Sequence, residues 1–153
     1  MLRQAILDYG VYPMPLGLAG ISAVDTRDIA ELTAVVLTEK GHHNKTYNIN
    51  GPEPLSGPQA AANWSDALGQ PIQYSNPDLN EWESQMRGVM GSAWLPFDMR
   101  LMFQGYQERG FIAEPTDASI FEKAVGHAPR SYADFVTETV AHWGAEAAPL
   151  ASH

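Results

Sequence analysis

The chain contains no cysteine. That excludes disulfides, thiolate metal ligands and a cysteine nucleophile together, and it fits a reducing compartment, so a cytoplasmic location is expected. Basic residues are scarce: 9 Lys and Arg stand against 18 Asp and Glu, for a formal charge of −9. Counterion release at phosphates needs a Lys/Arg patch, and none interrupts this balance, so nucleic acid and anionic membrane are poor partners. Long apolar runs are missing too. The stretch from Val11 to Val24 is broken by Pro13, Pro15, Gly17 and Gly20 and reads as no transmembrane helix, and Met1-Leu-Arg-Gln-Ala5 has no signal-peptide profile.

What is present argues for one folded unit. With 153 residues, 44% of them hydrophobic, and 4 Trp, 6 Tyr and 5 Phe, the chain has apolar surface enough to offset its ordering entropy. A domain of this length buries about 70% of its unfolded surface. No internal repeat or low-complexity linker divides it. The expected layout is a single domain over residues 1–143 and a flexible tail over 144–153.

The first half alternates strand and helix signals. Leu2 to Asp8 reads as a helix ended by Gly10, and Tyr12-Pro-Met-Pro15 forces extended backbone, because each proline pushes its predecessor out of the α region. Strands are expected over 21–24, 46–49 and 72–74. Asp25 or Thr26 caps a helix over 27–38, with Asp28 in its first turn where the helix dipole favours negative charge. Ile29, Leu32, Val35, Val36 and Leu37 give that helix its apolar face. Ser56 with Gln59 forms a capping-box signature for a helix over 57–68, Pro58 sits where no amide partner is lost, and Gly69 ends the helix.

The second half is helical, with expected helices over 79–91, 96–109, 117–125 and 132–143. Thr116 reads as the cap of the third, and Ser131 with Asp134 as the cap of the last. Met86, Met90, Trp94, Phe97, Met99, Met102, Phe103 and Tyr106 make a stripe of thioethers and aromatics that serves equally well as plain helix packing or as an adaptable pocket wall. Other constellations have plain readings. Asp25 and Asp28 fit caps better than an acid/base pair. His42 and His43 are adjacent in a turn, and neighbouring residues rarely face one metal.

Several of these segments in order resemble the NmrA-like proteins, a branch of the atypical short-chain dehydrogenase/reductases. They are Gly20-Ile-Ser-Ala-Val-Asp25-Thr-Arg-Asp28-Ile-Ala30, Lys45-Thr-Tyr-Asn-Ile49 leading to Gly51-Pro52-Glu53, Leu68-Gly69-Gln-Pro-Ile72, and Gly126-His-Ala-Pro129-Arg130-Ser131-Tyr132. The resemblance runs from about residue 3 to 143 and corresponds to the C-terminal part of such proteins. It implies an α/β fold, the later portion of a Rossmann-type fold with its substrate lobe, and NAD(P)H as the cofactor of the full-length family.

The glycine-rich turn that seats a pyrophosphate on a helix N-terminus belongs to the N-terminal half of that family. Gly17-Leu-Ala-Gly20 is the nearest candidate here, but it lies between a proline-rich segment and a strand, the wrong context. No cofactor-binding residue is therefore expected in this chain alone. The Tyr-x-x-x-Lys pair of many short-chain reductases is absent as well, since Val36, Gly41 and Ser119 precede Lys40, Lys45 and Lys123 by four. The resemblance places Met86, Met90, Trp94, Phe97, Met102 and Tyr106 in the substrate lobe and makes them the candidate pocket. No catalytic residue and no metal ligand stands out.

Two readings follow. In one, the chain is the substrate-binding portion of an NAD(P)H-dependent oxidoreductase, inactive until a nucleotide lobe is supplied. In the other, it is a noncatalytic redox or ligand sensor, or an interaction module. In either, the apolar face left open beside residues 46–49 predicts pairing with a missing lobe or with a second copy as a homodimer.

Overall fold

The computed structural model describes residues 2–147. In chain order these form α1 (Leu2–Tyr9), β1 (Val11–Tyr12), α2 (Thr26–Thr38), α3 (Gly57–Leu68), β2 (Gln73–Tyr74), α4 (Leu79–Met90), α5 (Trp94–Arg109), α6 (Asp117–Val125) and α7 (Tyr132–Ala147). β1 and β2 run parallel, with Val11 opposite Gln73 and Tyr12 opposite Tyr74. α3 connects toward β2 and packs on both strands and on α7. Among the described residues no helix is long and apolar enough to cross a membrane.

Local chemistry explains the best-defined helix. The Ser56 amide donates to Gln59 Oε1 at 2.8 Å and the Gln59 amide donates back to Ser56 Oγ at 3.4 Å, so two free donors of α3 are satisfied reciprocally. Gly69 closes the helix with φ 65°, a left-handed conformation that glycine adopts without steric cost. The inward stripe, Ala60, Ala61 and Trp64, is fully buried. Small residues on this face let the strands approach closely. At Gly57 a Cβ would lie 2.1 Å from the Tyr74 ring, so only glycine fits there.

Around α3 the core gathers Ile6, Tyr12, Leu16, Leu55, Ile72, Trp82, Phe103 and Val136. Trp64 stacks on Trp143 at 5.0 Å and 14° and donates its indole N–H to the Tyr132 hydroxyl at 3.1 Å. The Tyr132 and Tyr12 hydroxyls are 3.2 Å apart. Burial, more than its tyrosine neighbours, pushes the Tyr12 phenol well above its ordinary value.

The strand expectations need correction. The segment 46–49 belongs to no ladder, because a strand requires a second backbone alongside. No backbone–backbone hydrogen bond is recorded for 46–49 among the described residues. Its neighbour Asn50 is held instead by a side-chain bond, Nδ2 to Asp117 Oδ2 at 3.0 Å. The expected strand 21–24 shrinks to a one-residue node. Ile21 bridges antiparallel to Leu55, exchanging both backbone bonds with it, and parallel to Phe111. Conversely, Val11–Tyr12 forms a strand that was expected only as extended backbone, and Pro13 stops it.

The helices match more closely. α5 starts at Trp94, two positions before the expected 96, and α7 runs to Ala147 instead of 143. The remainder of the expected flexible tail lies outside the described residues. Thr116 makes no side-chain cap bond; the Asp117 carboxylate accepts from the Glu114 amide at 3.1 Å in its place. On α2 the expected apolar face is only partly covered: Leu32 is buried, Ile29 is 39% exposed and Leu37 is 79% exposed.

Candidate functional site

α4 and α5 are joined by the short Gly91–Ala93 link, so they pack as an antiparallel hairpin. Its inner seam holds Trp82 edge-on to Phe103 at 5.1 Å, and Phe103 edge-on to Tyr106. Glu83 fastens the outside, accepting from Arg87 one turn on and from Arg100 of the opposite helix, each at 2.6 Å. Those bonds, Arg87 first, hold the Glu83 carboxyl below its usual range.

The hairpin divides the expected pocket residues. Met86 and Tyr106 pack against the core from its margin. Met90, Trp94, Phe97 and Met102 face solvent, Trp94 at 68% exposure, and the Arg100 guanidinium lies over the Phe97 ring at 5.2 Å. α5 carries apolar side chains around its whole circumference, so periodicity alone did not separate its inner face from its outer one.

A second feature lies where α2 begins and α7 begins. Ala23, Val24, Asp25, Thr26, Arg130, Ser131, Tyr132 and Phe135 line a cleft of about 240 Å³. Both bordering helices arrive capped. Asp25 Oδ1 accepts from the Arg27 amide at 2.8 Å, and the Arg27 side chain is the first cause of the lowered Asp25 carboxyl. At α7 the Asp134 amide donates to Ser131 Oγ at 3.1 Å while the Ser131 amide donates to Asp134 Oδ2 at 3.2 Å.

Behind this cleft sits a charged cluster. Asp28 is completely buried. It accepts from the Arg130 amide at 2.8 Å and, through its other oxygen, from the Arg130 guanidinium. The same guanidinium donates to Glu31 Oε1 at 2.8 Å. His127 closes the cluster, with Nε2 2.6 Å from Glu31 Oε2 and Nδ1 2.8 Å from the Ala128 carbonyl. Arg130 first and His127 second hold the Glu31 carboxyl down at about 2; Glu31 in turn raises the Arg130 guanidinium, and the Ala128 carbonyl followed by Glu31 raises the His127 imidazole.

Asp28, Glu31 and His127 bring ligand-type atoms within 4.8 Å of one another. The Arg130 guanidinium already donates to both carboxylates, occupying oxygens that would otherwise face an ion. Asp28 had been expected as a first-turn acid and no more. Its partner was visible only as the Pro129-Arg130 pair in a segment far along the chain. His42, expected in a solvated turn, lies 2.7 Å through Nδ1 from the Tyr47 hydroxyl.

In the Gly17–Gly20 loop the Gly17 amide donates to the Tyr74 hydroxyl at 2.8 Å. The Gly17 carbonyl accepts from the Gly57 amide and the Gly20 carbonyl from the Phe111 amide. These contacts tie the loop to α3, Tyr74 and Phe111, and the Asp25 carboxylate caps the N-terminus of α2.

Seven helices against two parallel strands among the described residues make an α/β structure, and its fold is part of the Rossmann-like fold of NAD(P)-dependent reductases. An NADPH-dependent quinone oxidoreductase from Escherichia coli superposes with a TM-score of 0.75 at 23% identity, over 94% of this chain and 50% of that one. The triphenylmethane reductase of Citrobacter sp., solved with NADP(H), gives 0.75 at 19% identity over 91% and 47%.

In sequence, the chain is 34% identical over 145 residues to the NAD(P)H azoreductase of Xenophilus azovorans, which covers 95% of this chain and 50% of the azoreductase. The chain thus spans about half the length of that relative. No protein-family model matches it.

Proposed function

We propose that this chain is the substrate-binding portion of an NAD(P)H-dependent reductase acting on conjugated acceptors of the azo or quinone kind, with the dinucleotide held by a lobe outside these 153 residues. The observation that carries this reading is the alignment of 95% of the chain with half of an NAD(P)H azoreductase. The geometry supports it in two ways. The Gly17 amide is already engaged by the Tyr74 hydroxyl, and the α4–α5 hairpin leaves Met90, Trp94, Phe97 and Met102 exposed, an adaptable thioether and aromatic surface that suits planar acceptors.

Two titrations test the proposal. NADPH added to the purified chain is expected to show no binding, and a dissociation constant below about 1 µM contradicts the assignment of the nucleotide seat elsewhere. Menadione or methyl red is expected to quench Trp94 fluorescence. Trp94→Ala should abolish that quenching with the far-ultraviolet dichroism unchanged; quenching that persists in this variant excludes the hairpin as the acceptor wall.

A second reading, self-association, draws on the open edge at 46–49 beside Val36 and Leu37, which with Leu32, Thr33, Tyr47 and Ile49 line a shallow groove. Exposed apolar surface next to unpaired backbone favours pairing with another chain. Light scattering across a concentration series is expected to show a dimer, and a constant monomer mass removes this reading.

A further inference from the structure

We propose that His127, Glu31 and the Ala128 carbonyl form a proton-dependent clasp that ties α2 to the segment leading into α7 and opens when the imidazolium is deprotonated. The argument is one of hydrogen-bond inventory. Nε2 of His127 faces a carboxylate oxygen at 2.6 Å and Nδ1 faces a carbonyl oxygen at 2.8 Å. Both partners are acceptors only, so both ring nitrogens must donate, and only the imidazolium has two N–H groups.

A neutral ring fails in either tautomer. With the proton on Nε2, the Nδ1 lone pair confronts the Ala128 carbonyl. With the proton on Nδ1, the Nε2 lone pair confronts the Glu31 carboxylate at a distance tolerable only across a hydrogen bond. One of the two contacts must open: losing the Ala128 contact loosens the turn that holds the ring, and losing the Glu31 contact releases the segment carrying Pro129 and Arg130 from one of its ties to α2.

The surroundings favour the closed, charged form. From α2 the ring meets Glu31 directly, with Asp28 behind it on Arg130; from its own segment it meets Arg130, whose charge opposes its own; from α6 it meets the edge of the Phe121 ring at 5.7 Å and 74°. The Ala128 carbonyl and Glu31 outweigh Arg130, so the ring titrates above the ordinary 6.5. A raised folded-state value means that the clasp contributes stability in full below pH 6.5 and loses it as pH rises through the folded value. The segment leads directly into Arg130, Ser131 and Tyr132 of the cleft wall, so the proton state of an outlying histidine is felt at that cleft.

Nitrogen-detected NMR of the full chain across pH 5 to 9 tests this. His127 is expected to titrate with a midpoint above the ordinary 6.5, and the Arg130 and Ser131 amide shifts should follow the His127 midpoint. Glu31→Gln should move the midpoint down, and His127→Gln should abolish the pH-linked step in the Arg130 amide. A His127 midpoint at or below the ordinary 6.5, or an Arg130 amide indifferent to it, overturns the proposal. The wild-type titration decides alone if either variant fails to fold.

Discussion

Trp64→Ala is expected to lower the stability of the chain by about 4 kcal/mol, the largest effect of any single truncation in the core. Trp64 is 1% exposed and lies where α3, α7 and the strands converge. Truncation removes its stack on Trp143 and its hydrogen bond to Tyr132 in one step. It also opens a cavity that the helices cannot close without losing Ala60 and Val136 contacts. For a domain of this size that loss corresponds to a fall in melting temperature of about 8 to 16 °C. Trp64→Phe keeps most of the ring area and sacrifices the N–H bond, so its loss should be clearly smaller. Thermal denaturation followed by circular dichroism measures both, and a Trp64→Ala loss under about 1 kcal/mol contradicts the packing described here.

Asp28→Ala should be the most damaging change among the polar residues, at about 3 kcal/mol. The carboxylate is wholly buried and takes both the Arg130 amide and its guanidinium. Removing it strands two donors that its oxygens had satisfied. The expected fall in melting temperature is about 6 to 12 °C. Glu31, 38% exposed and paired to the same arginine, should matter far less. Asp28→Ala and Arg130→Ala should be strongly non-additive, since each alone breaks the same contact. A double-mutant cycle reads this directly, and additive losses would show that the pair does not act as a unit.

The sequence was most legible where structure is made locally. The ends of α3 follow from Ser56, Gln59 and Gly69, residues within one turn of the features they fix, and the expected 57–68 is the observed range. The start of α6 at Asp117 and its stop before Gly126 were equally visible. Strands were less so, because pairing depends on what lies beside a segment. Thr46 to Ile49 has strand-forming residues but no ladder, whereas Val11–Tyr12 pairs with residues across α3. The same limit governs the charged cluster. Asp28 was recognisable as an acid near a helix start, yet nothing adjacent to it announces Arg130. The Met and aromatic stripe marked the two hairpin helices, but with apolar groups on all sides of α5 it could not tell Phe103, which is buried, from Met102 beside it, which is not.

The junction at Ile21 bears on how the molecule assembles in time. It joins chain segments near Leu55 and Phe111 that start far apart, and closing such large loops carries an entropic cost before any contact rewards it. The hairpin of neighbouring helices faces no comparable delay. Refolding is therefore expected to begin there and to finish at this knot, so that substitutions at Ile21 accelerate unfolding while leaving the earliest refolding phase almost untouched.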